Sequence, residues 1–332
     1  MTTLVEAGMD HAELERTDTY AIDIDGLRVQ FGRSIVVRDL SMHVPHGSIY
    51  GLVGPSGAGK SITMRVLATL QKADGGRVRV DSIDLTDNPA VVRRRIGYLP
   101  DAAGVYEDLT VREYLDFYGA LFQVPVRRRR QSTDELLELV GLAQQRSHPV
   151  KTLSRSMKQQ LGLARCLVHD PSVLLLDEPA AGMDPQARLE LRDILRELAR
   201  FGKTVLICSH MLSELAEVCT HLGFMRAGEL IAEGEIDEIM SAVFPESRLR
   251  VQLLDGRDGG AARAVLESIP ALGPIEAQND WELLAWYSGS RQNLPAVLGQ
   301  LRASGLQVAG FALEQRSLDD IFLLLTAART EE

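Results

Sequence analysis

A glycine-rich octet that ends in Lys-Ser has the residue types needed to bind a polyphosphate. The octet consists of Gly54, Pro55, Ser56, Gly57, Ala58, Gly59, Lys60 and Ser61. It matches the pattern G-x-x-x-x-G-K-[ST], in which successive backbone N–H groups surround phosphate oxygens and the glycines keep side chains out of the way. Lys60 can reach the β- and γ-phosphates, and the Ser61 hydroxyl can bind Mg²⁺. The octet therefore predicts a phosphate-binding loop.

The residues on either side of the octet support this interpretation. Residues 48–53 form an apolar run that predicts a strand, and residues 62–70, beginning with Ile62, have the apolar spacing of a helix. A helix in this position directs the positive end of its dipole at the bound anion, so Ile62 joins the predicted site. The alternative is a glycine-rich turn that binds nothing. It does not account for strand, loop, Lys-Ser and helix in this order.

An acidic pair and a histidine follow two further apolar runs. Residues 173–176 are all apolar, as in a strand buried on both faces of a parallel sheet, and Asp177 and Glu178 come next. Asp177 could hold Mg²⁺ through its water shell, and Glu178 could orient or deprotonate an attacking water. His210 follows a second such run, residues 204–207, and could contact a γ-phosphate. The alternatives are a helix-capping acidic pair and a structural histidine.

Composition excludes several classes of partner. The chain has 332 residues, enough for two domains, and its formal net charge of −10 gives no general attraction to nucleic acid or to an anionic membrane. We therefore expect no nucleic-acid partner. The arginine runs at residues 93–95 and 127–130 are interpreted as solvated helix ends, although a local basic surface is the alternative.

Cysteine usage and hydropathy bear on the compartment. Cys166, Cys208 and Cys219 have no metal or redox spacing, and so sparse a set suits a reducing compartment. Residues 1–20 lack the basic-apolar order of a signal peptide. In the sequence, no apolar stretch approaches the roughly 20 residues that cross a bilayer, so any membrane role must act through a partner.

The order of elements predicts an α/β fold followed by a smaller domain. Strands alternate with helices up to about residue 240, and the composition changes near residues 244–246. We predict a flexible leader over 1–20, a first domain over 21–243 and a C-terminal accessory domain over 244–332. The order β-α-β-β-α-β in the last region predicts a small α+β, ferredoxin-like domain.

Several helices are also predicted from apolar spacing. One covers residues 133–140, with Asp134 as its start signal, and another covers residues 161–168. A short amphipathic helix over 317–325 closes the chain.

The segment before Asp177 determines the family that the chain resembles. Residues 153–160 read Leu-Ser-Arg-Ser-Met-Lys-Gln-Gln. Together with the other motifs, they make residues 20 to 240 resemble the ATP-binding subunit of ABC transporters. This resemblance implies a P-loop NTPase domain with a helical subdomain at about residues 101–170. It also implies that Ser154 contacts the γ-phosphate of ATP held by the opposite subunit.

The same resemblance implies further nucleotide contacts. Residues 181–184, ending at Asp184, look like the family's dimer-contact loop, and Phe31 falls where the family stacks an aromatic ring on adenine. Without the family context, Phe31 could equally be a core residue.

Three residues depart from the family's pattern. Arg155 and Ser156 stand where the signature usually has two glycines, and Asp101 stands where a glutamine usually touches Mg²⁺ and the membrane partner. A Cβ can obstruct the approach of backbone to phosphate, whereas an arginine could add a charge-assisted contact. Asp101 could still reach the metal shell. All three are kept as site residues.

The remaining similarities indicate a branch of the family. Residues 104–115, 157–159 and 317–326 are similar to those of drug, polysaccharide or sodium exporter subunits that carry a C-terminal extension. The resemblance implies an ATPase that binds ATP and Mg²⁺, pairs with a second copy of itself and powers a separate polytopic permease. It would then be cytoplasmic and peripheral on the inner face of the cell membrane.

Two other functions stay open at this point. The first is a non-transport ATPase of the same superfamily that acts on ribosomes or DNA. Such proteins usually carry two cassettes in one chain or a long coiled coil, and neither is found in this sequence. The second is a regulatory module that senses ATP with weak hydrolysis, which the Arg155 and Ser156 departures make credible.

Overall fold

The computed structural model describes residues 19–101, 104, 106–236, 238–239, 247–289 and 293–314. The chain divides into two compact units, Met1–Ile236 and Asp237–Glu332. The domain boundary between residues 243 and 244 stays a prediction. Most of the predicted leader and the predicted helix over 317–325 lie outside the described residues. Within the described residues, no helix is long and apolar enough to cross a membrane.

A six-stranded sheet forms the core of the first unit. Its order is β10-β9-β3-β8-β7-β6. The strands are β3 (Ile49–Val53), β6 (Ile96–Leu99), β7 (Val173–Asp177), β8 (Thr204–Ser209), β9 (His221–Arg226) and β10 (Glu229–Glu235). Every residue of β3, β7 and β8 is buried, as their apolar sequences predict for central parallel strands. Strands β9 and β10, which pair antiparallel, are additional to the prediction.

The second sheet of this unit is antiparallel, in the order β2-β1-β4-β5. Its strands are β1 (Tyr20–Phe31), β2 (Ser34–Pro45), β4 (Gly75–Val80) and β5 (Ile83–Asp84). The apolar alternation of the sequence predicts separate strands at residues 21–24 and 27–31, but both segments belong to the single strand β1. The register against β2 shifts between Ile24 and Leu27, where Gly26 has φ +62°. This local irregularity interrupts the alternation that the sequence shows.

The helices of the first unit pack around these sheets. They are α1 (Lys60–Leu67), α2 (Pro89–Arg95), α3 (Val111–Leu121), α4 (Val126–Leu139), α5 (Arg155–Leu167), α6 (Pro185–Arg200) and α7 (Leu212–Ala216). Helices α3, α4 and α5 fall within the range predicted for a helical subdomain.

Two predicted helix starts are wrong. Helix α4 begins at Val126 and places Asp134 in its interior, because the arginine run 127–130 forms its first turn. An apolar pattern cannot detect turns that are mostly solvated. Helix α5 begins at Arg155 because Ser154 caps it. The arginines at 93–95 and 127–130 lie in the last turn of α2 and the first turns of α4, and most are exposed, as expected of solvated helix ends.

The second unit has the predicted ferredoxin-like topology. Its elements are β11 (Ser247–Leu253), α8 (Gly259–Glu267), β12 (Leu272–Asn279), β13 (Glu282–Tyr287), α9 (Leu294–Ala303) and β14 (Val308–Glu314). All strand pairs are antiparallel in the order β12-β13-β11-β14. Leu249, Val251, Leu266, Leu283 and Leu301 lie in its apolar core. Leu249 and Val251 alternate along β11, and Leu266 and Leu301 lie on α8 and α9, so the regular apolar spacing could predict the order of elements.

A network of charged groups joins the two sheets of the first unit. His43 on β2 has Nε2 at 3.4 Å from Asp23 Oδ1 and Nδ1 at 3.7 Å from Glu233 Oε2 on β10. The backbone N–H of His43 donates to Glu233 Oε1 at 2.8 Å. A side-chain hydrogen bond with Glu233, together with the negative charges of Glu233, Asp23 and Asp25, raises the pKa of His43 against the opposing effect of burial.

The same groups include three candidate metal ligands. Ligand atoms of Asp23, Asp25 and His43 lie within 4.8 Å of one another. However, Arg79 Nη1 lies 3.8 Å from Asp23 Oδ2 and already supplies positive charge there. Tyr50 also donates its hydroxyl to Glu233 Oε1 at 2.9 Å. We therefore interpret the group as an ion network between the sheets.

The raised pKa of His43 predicts a pH-dependent stability. Because the folded state holds the proton more tightly than the unfolded chain, the stabilisation is fully present below the ordinary histidine pKa of about 6.5. It is lost as the pH rises through the raised, folded-state pKa. Urea unfolding of the native chain and of His43→Gln across pH 5.5 to about 8.5 measures this difference. If the two curves ran parallel across the range, the ion network would contribute no pH-dependent stability.

Candidate functional site

The glycine-rich octet forms a loop between β3 and α1. Gly57 and Gly59 have φ of +82° and +108°, in the left-handed region that favours glycine. A Cβ on Gly54 would lie 2.1 Å from the carbonyl oxygen of Met225, so β9 leaves no room for a side chain. Helix α1 begins at Lys60 without a side-chain cap. Its first N–H groups are thus directed into the loop, where an anion can accept them.

Lys60 places a buried ammonium group inside this loop. Its Nζ donates to the carbonyl oxygen of Gly54 at 2.6 Å and to that of Pro55 at 3.2 Å, and the residue is 7% exposed. An ammonium group has three N–H donors, so these two carbonyls leave one for a further acceptor. The loop therefore contains a fixed positive charge next to helix N–H groups, which suits a phosphate.

Ser61 and Asp177 bring two hard oxygen atoms together. Ser61 Oγ donates to Asp177 Oδ1 at 3.2 Å. Burial raises the pKa of Asp177, the Ser61 hydrogen bond lowers it, and the negative charges of Glu178 and Asp101 raise it again. A hydroxyl and a carboxylate are ligands that Mg²⁺ prefers, and a cation would relieve the repulsion among these carboxylates. The residues present therefore fit a divalent ion.

Strand register explains why distant residues meet at one edge of the core sheet. Val53 pairs with Ser209, and Asp177 pairs with Cys208, in parallel ladders. Strand β6 pairs in parallel with β7, with Leu99 opposite Leu176. Because parallel strands end together, the phosphate loop, the acidic pair, His210 and Asp101 all follow carboxyl ends at the same edge.

Glu178 is held in an unusual conformation by its neighbours. Its φ of +49° is rare for a residue with a side chain, and its N–H donates to the carbonyl of Cys208 at 2.9 Å. The backbone N–H of His210 donates to Glu178 Oε1 at 3.0 Å, and His210 Nδ1 lies 2.9 Å from the same oxygen. The sequence could suggest that both residues matter, but only the fold shows that they are in contact.

Ser209 is a site residue that the sequence analysis missed. Its hydroxyl donates to Glu178 Oε2 at 3.3 Å and accepts from the N–H of Met211 at 3.0 Å. The residue is 3% exposed. The only signal in the sequence is a polar residue at the end of an apolar strand, directly before His210.

The signature segment and the predicted dimer-contact loop both begin helices. Ser154 Oγ accepts from the N–H of Met157 at 3.2 Å and caps α5. Asp184 Oδ1 accepts from the N–H of Ala187 at 3.0 Å and caps α6. In the described part of the chain, no hydrogen bond joins residues 154–156 to the phosphate loop, Asp177, Glu178 or His210. The structure therefore does not bring the signature segment into the chain's own site.

Phe31 lies at the tip of the β1–β2 hairpin and is 47% exposed. It pairs with Ser34, and β2 then passes the phosphate loop. There, a Cβ on Gly59 would lie 3.1 Å from the carbonyl oxygen of Val36. The hairpin thus brings an exposed aromatic ring to the strand that borders the loop, rather than into the core.

Comparison with known proteins gives consistent matches. A family model described as ABC transporter matches residues 37–181. The chain is 37% identical over 308 residues to the daunorubicin/doxorubicin resistance ATP-binding protein DrrA of Streptomyces peucetius, a match that covers 93% of each chain. It is 39% identical over 312 residues to the Nod factor export ATP-binding protein I of Paraburkholderia xenovorans, covering 94% of this chain and 99% of the relative.

A solved structure of an ATP-binding subunit of an ABC transporter has the same fold. It matches with a TM-score of 0.63 at 25% identity, and the match covers 67% of this chain and 93% of that chain. This structure confirms the predicted P-loop fold, and the two relatives confirm the predicted exporter-like branch. Because the curated relatives match over more than nine-tenths of its length, the chain belongs to the ATP-binding proteins of the ABC transporter family.

Proposed function

We propose that the chain hydrolyses ATP at the edge of its core sheet and thereby powers export through a separate membrane subunit. The observation that carries this proposal is that three groups of residues meet at that edge: Lys60 in its loop, Ser61 with Asp177, and Glu178 with His210. Members of this family are ATPases, and the two relatives are named for drug resistance and for Nod factor export. Residues 54–62 would bind the phosphates, and Phe31 would stack on the base.

The metal and water roles follow from the same contacts. Ser61, Asp177 and Asp101 would hold Mg²⁺, directly or through water. When bound, the ion would neutralise the charge that develops on the phosphate oxygens. Glu178 would orient and deprotonate the attacking water, because its carboxylate is fixed by Ser209 and His210. His210, 58% exposed, would present its other ring nitrogen to the γ-phosphate.

A second copy of the chain would complete each site. Ser154, Ser156 and Asp184 make no hydrogen bond to their own chain's catalytic residues in the described structure, yet Ser154 lies at a helix N-terminus that favours anions. We propose that this terminus binds the γ-phosphate held by the partner. ATP would then be part of the interface. Only the difference in ATP affinity between the closed and the open dimer could drive motion.

A surface on the helical region fits a membrane subunit. A cavity of about 600 Å³ lies against β6, α3 and α5, lined in part by Tyr98, Tyr118 and His169. In the same region, Tyr106 and Phe117 stack edge to face at 5.3 Å, and Leu121 is 61% exposed. An exposed apolar surface of this kind marks an interaction site, and this one follows Asp101 in sequence. We propose that it docks the permease on the inner face of the cell membrane.

Replacing Leu121 by Asp should disrupt that docking. The side chain is exposed, so the change should leave folding and basal ATPase intact while reducing copurification with the membrane subunit at least about tenfold, as for the loss of an interface anchor. Phe201→Asp is the matched control, since Phe201 is 74% exposed at the end of α6. Equal loss in both variants would indicate a general effect of charge and would contradict the docking surface.

The overall proposal is tested by two measurements on the native chain. Purified protein should hydrolyse ATP in the presence of Mg²⁺, and it should copurify with a multi-spanning membrane protein. Protein that binds ATP without hydrolysis would favour the ATP-sensing alternative. Copurification with ribosomes or DNA would favour the non-transport alternative.

A further inference from the structure

We propose that Arg155 is a positioning residue that couples the signature segment to the turn after Glu178, within one chain. Gly182 lies in that turn with φ +75°. A Cβ built on Gly182 would lie 2.6 Å from Arg155 Nε, 2.8 Å from Cδ and 2.9 Å from Cζ. The guanidinium end of Arg155 therefore covers the position that a side chain at residue 182 would occupy.

The turn that contains Gly182 directly follows Glu178. The N–H of Ala181 donates to the carbonyl of Glu178 at 3.0 Å, and that of Met183 donates to the carbonyl of Ala180 at 3.1 Å. Met183 is buried, and its carbonyl accepts from Arg188 Nε at 3.2 Å, so the far end of the turn is fixed. These bonds connect Gly182 to Glu178, whose backbone is already in the left-handed region.

On the other side of the contact between Arg155 and Gly182 lies the first turn of α5. Arg155 is the first residue of this helix, directly after its cap Ser154. Lys158, in the same turn, lies with Nζ 3.2 Å from Glu107 Oε1, in the segment before α3. The first turn of α5 is therefore held between residue 107 on one side and the Gly182 turn on the other.

The consequence rests on the proposed function. There, Ser154 faces the nucleotide of the partner, whereas Glu178 serves the nucleotide of its own chain. Packing of the Arg155 side chain against the Gly182 turn would let occupancy of one site adjust the catalytic carboxylate of the other. Arginine suits this role because its planar guanidinium packs closely against a residue without a side chain.

The test separates this role from a direct contact with phosphate. Arg155→Ala should lower kcat about tenfold, which is less than the roughly hundredfold loss that a misplacement of about 1 Å can cause. The KM for ATP should change less than about twofold. The Hill coefficient for ATP should fall towards one. Arg155→Lys should not restore kcat, because an ammonium cannot pack flat on the turn.

Gly182→Ala tests the same contact by changing the glycine instead of the arginine. Its new methyl group would displace Arg155, so it should lower kcat in the native background and have a smaller effect when Arg155 is already Ala. Arg127→Ala, an exposed arginine in the first turn of α4, is the matched control and should leave all parameters unchanged. Thermal unfolding midpoints of every variant verify that the fold is intact.

Three outcomes would overturn the inference. A raised KM with unchanged kcat would place Arg155 on the partner's phosphate, as an arginine in this segment could also do. Unchanged kcat and Hill coefficient would show that the contact has no role. Additive effects of Arg155→Ala and Gly182→Ala would show that they act separately. Absence of ATPase in the native chain would instead refute the proposed function.

Discussion

Replacing Glu178 by Gln should leave ATP binding intact and reduce hydrolysis by a factor of about 10²–10⁴, the usual contribution of a positioned general base. The amide has the same shape and keeps one oxygen that can accept from the His210 N–H, while its NH₂ group replaces the oxygen that accepts from Ser209. It cannot take a proton from water. Steady-state phosphate release, together with equilibrium binding of a fluorescent ATP analogue, measures both effects.

The same variant tests the dimer. If ATP is part of the interface and is no longer hydrolysed, sedimentation equilibrium with Mg²⁺ and saturating ATP should show dimers, and nucleotide-free protein should show monomers. Glu197→Gln is a suitable control because Glu197 is exposed on α6. Full turnover in Glu178→Gln would remove Glu178 from its proposed role. Monomers with bound ATP would refute the proposed dimer without affecting the hydrolysis result.

Replacing Lys60 by Ala should weaken nucleotide binding by at least about 10- to 100-fold. A hydrogen bond to a charged group contributes about 1.5–3 kcal/mol, so the loss of one phosphate contact weakens binding roughly 10- to 100-fold. The variant also leaves the carbonyls of Gly54 and Pro55 without the ammonium that they now bind, which should disturb the loop itself. Equilibrium titration with a fluorescent ATP analogue measures the affinity.

Lys72→Ala provides the comparison for that experiment. Lys72 is an exposed lysine shortly after α1, so its loss changes the net charge equally without touching the loop. Circular dichroism should show the native fold for both variants. Unchanged affinity in Lys60→Ala would contradict the assignment of the loop as the phosphate site.

The elements that sequence reasoning found share one property: their signal is local. The octet, the acidic pair and the buried strands β7 and β8 each occupy a few consecutive residues. Their functional residue types and their apolar pattern can therefore be recognised within one short segment. The same holds for the six elements of the second unit, whose alternation or helical spacing is regular. Where the local signal is weak, as in the arginine-rich first turn of α4 and in the β9–β10 hairpin, the sequence does not predict the element.

Contacts between distant residues could not be predicted in this way. Ser209 lies 31 positions from Glu178, and Asp177 lies 116 positions from Ser61, yet both pairs are in contact. The Arg155 contact with Gly182 and the His43 network are likewise products of packing. Their geometry depends on which strands are neighbours and on their register, and no local pattern contains this information.

The sequence alone therefore determined the type of chemistry and the order of the elements, because a phosphate loop, an acidic pair and hydrophobic periodicity are properties of short segments. Only the tertiary structure decided how Glu178 is aimed, which side chains hold it, and that the signature segment lies against the turn at Gly182. The physical reason is that parallel pairing of β3, β8, β7 and β6 brings the ends of strands far apart in sequence to one edge.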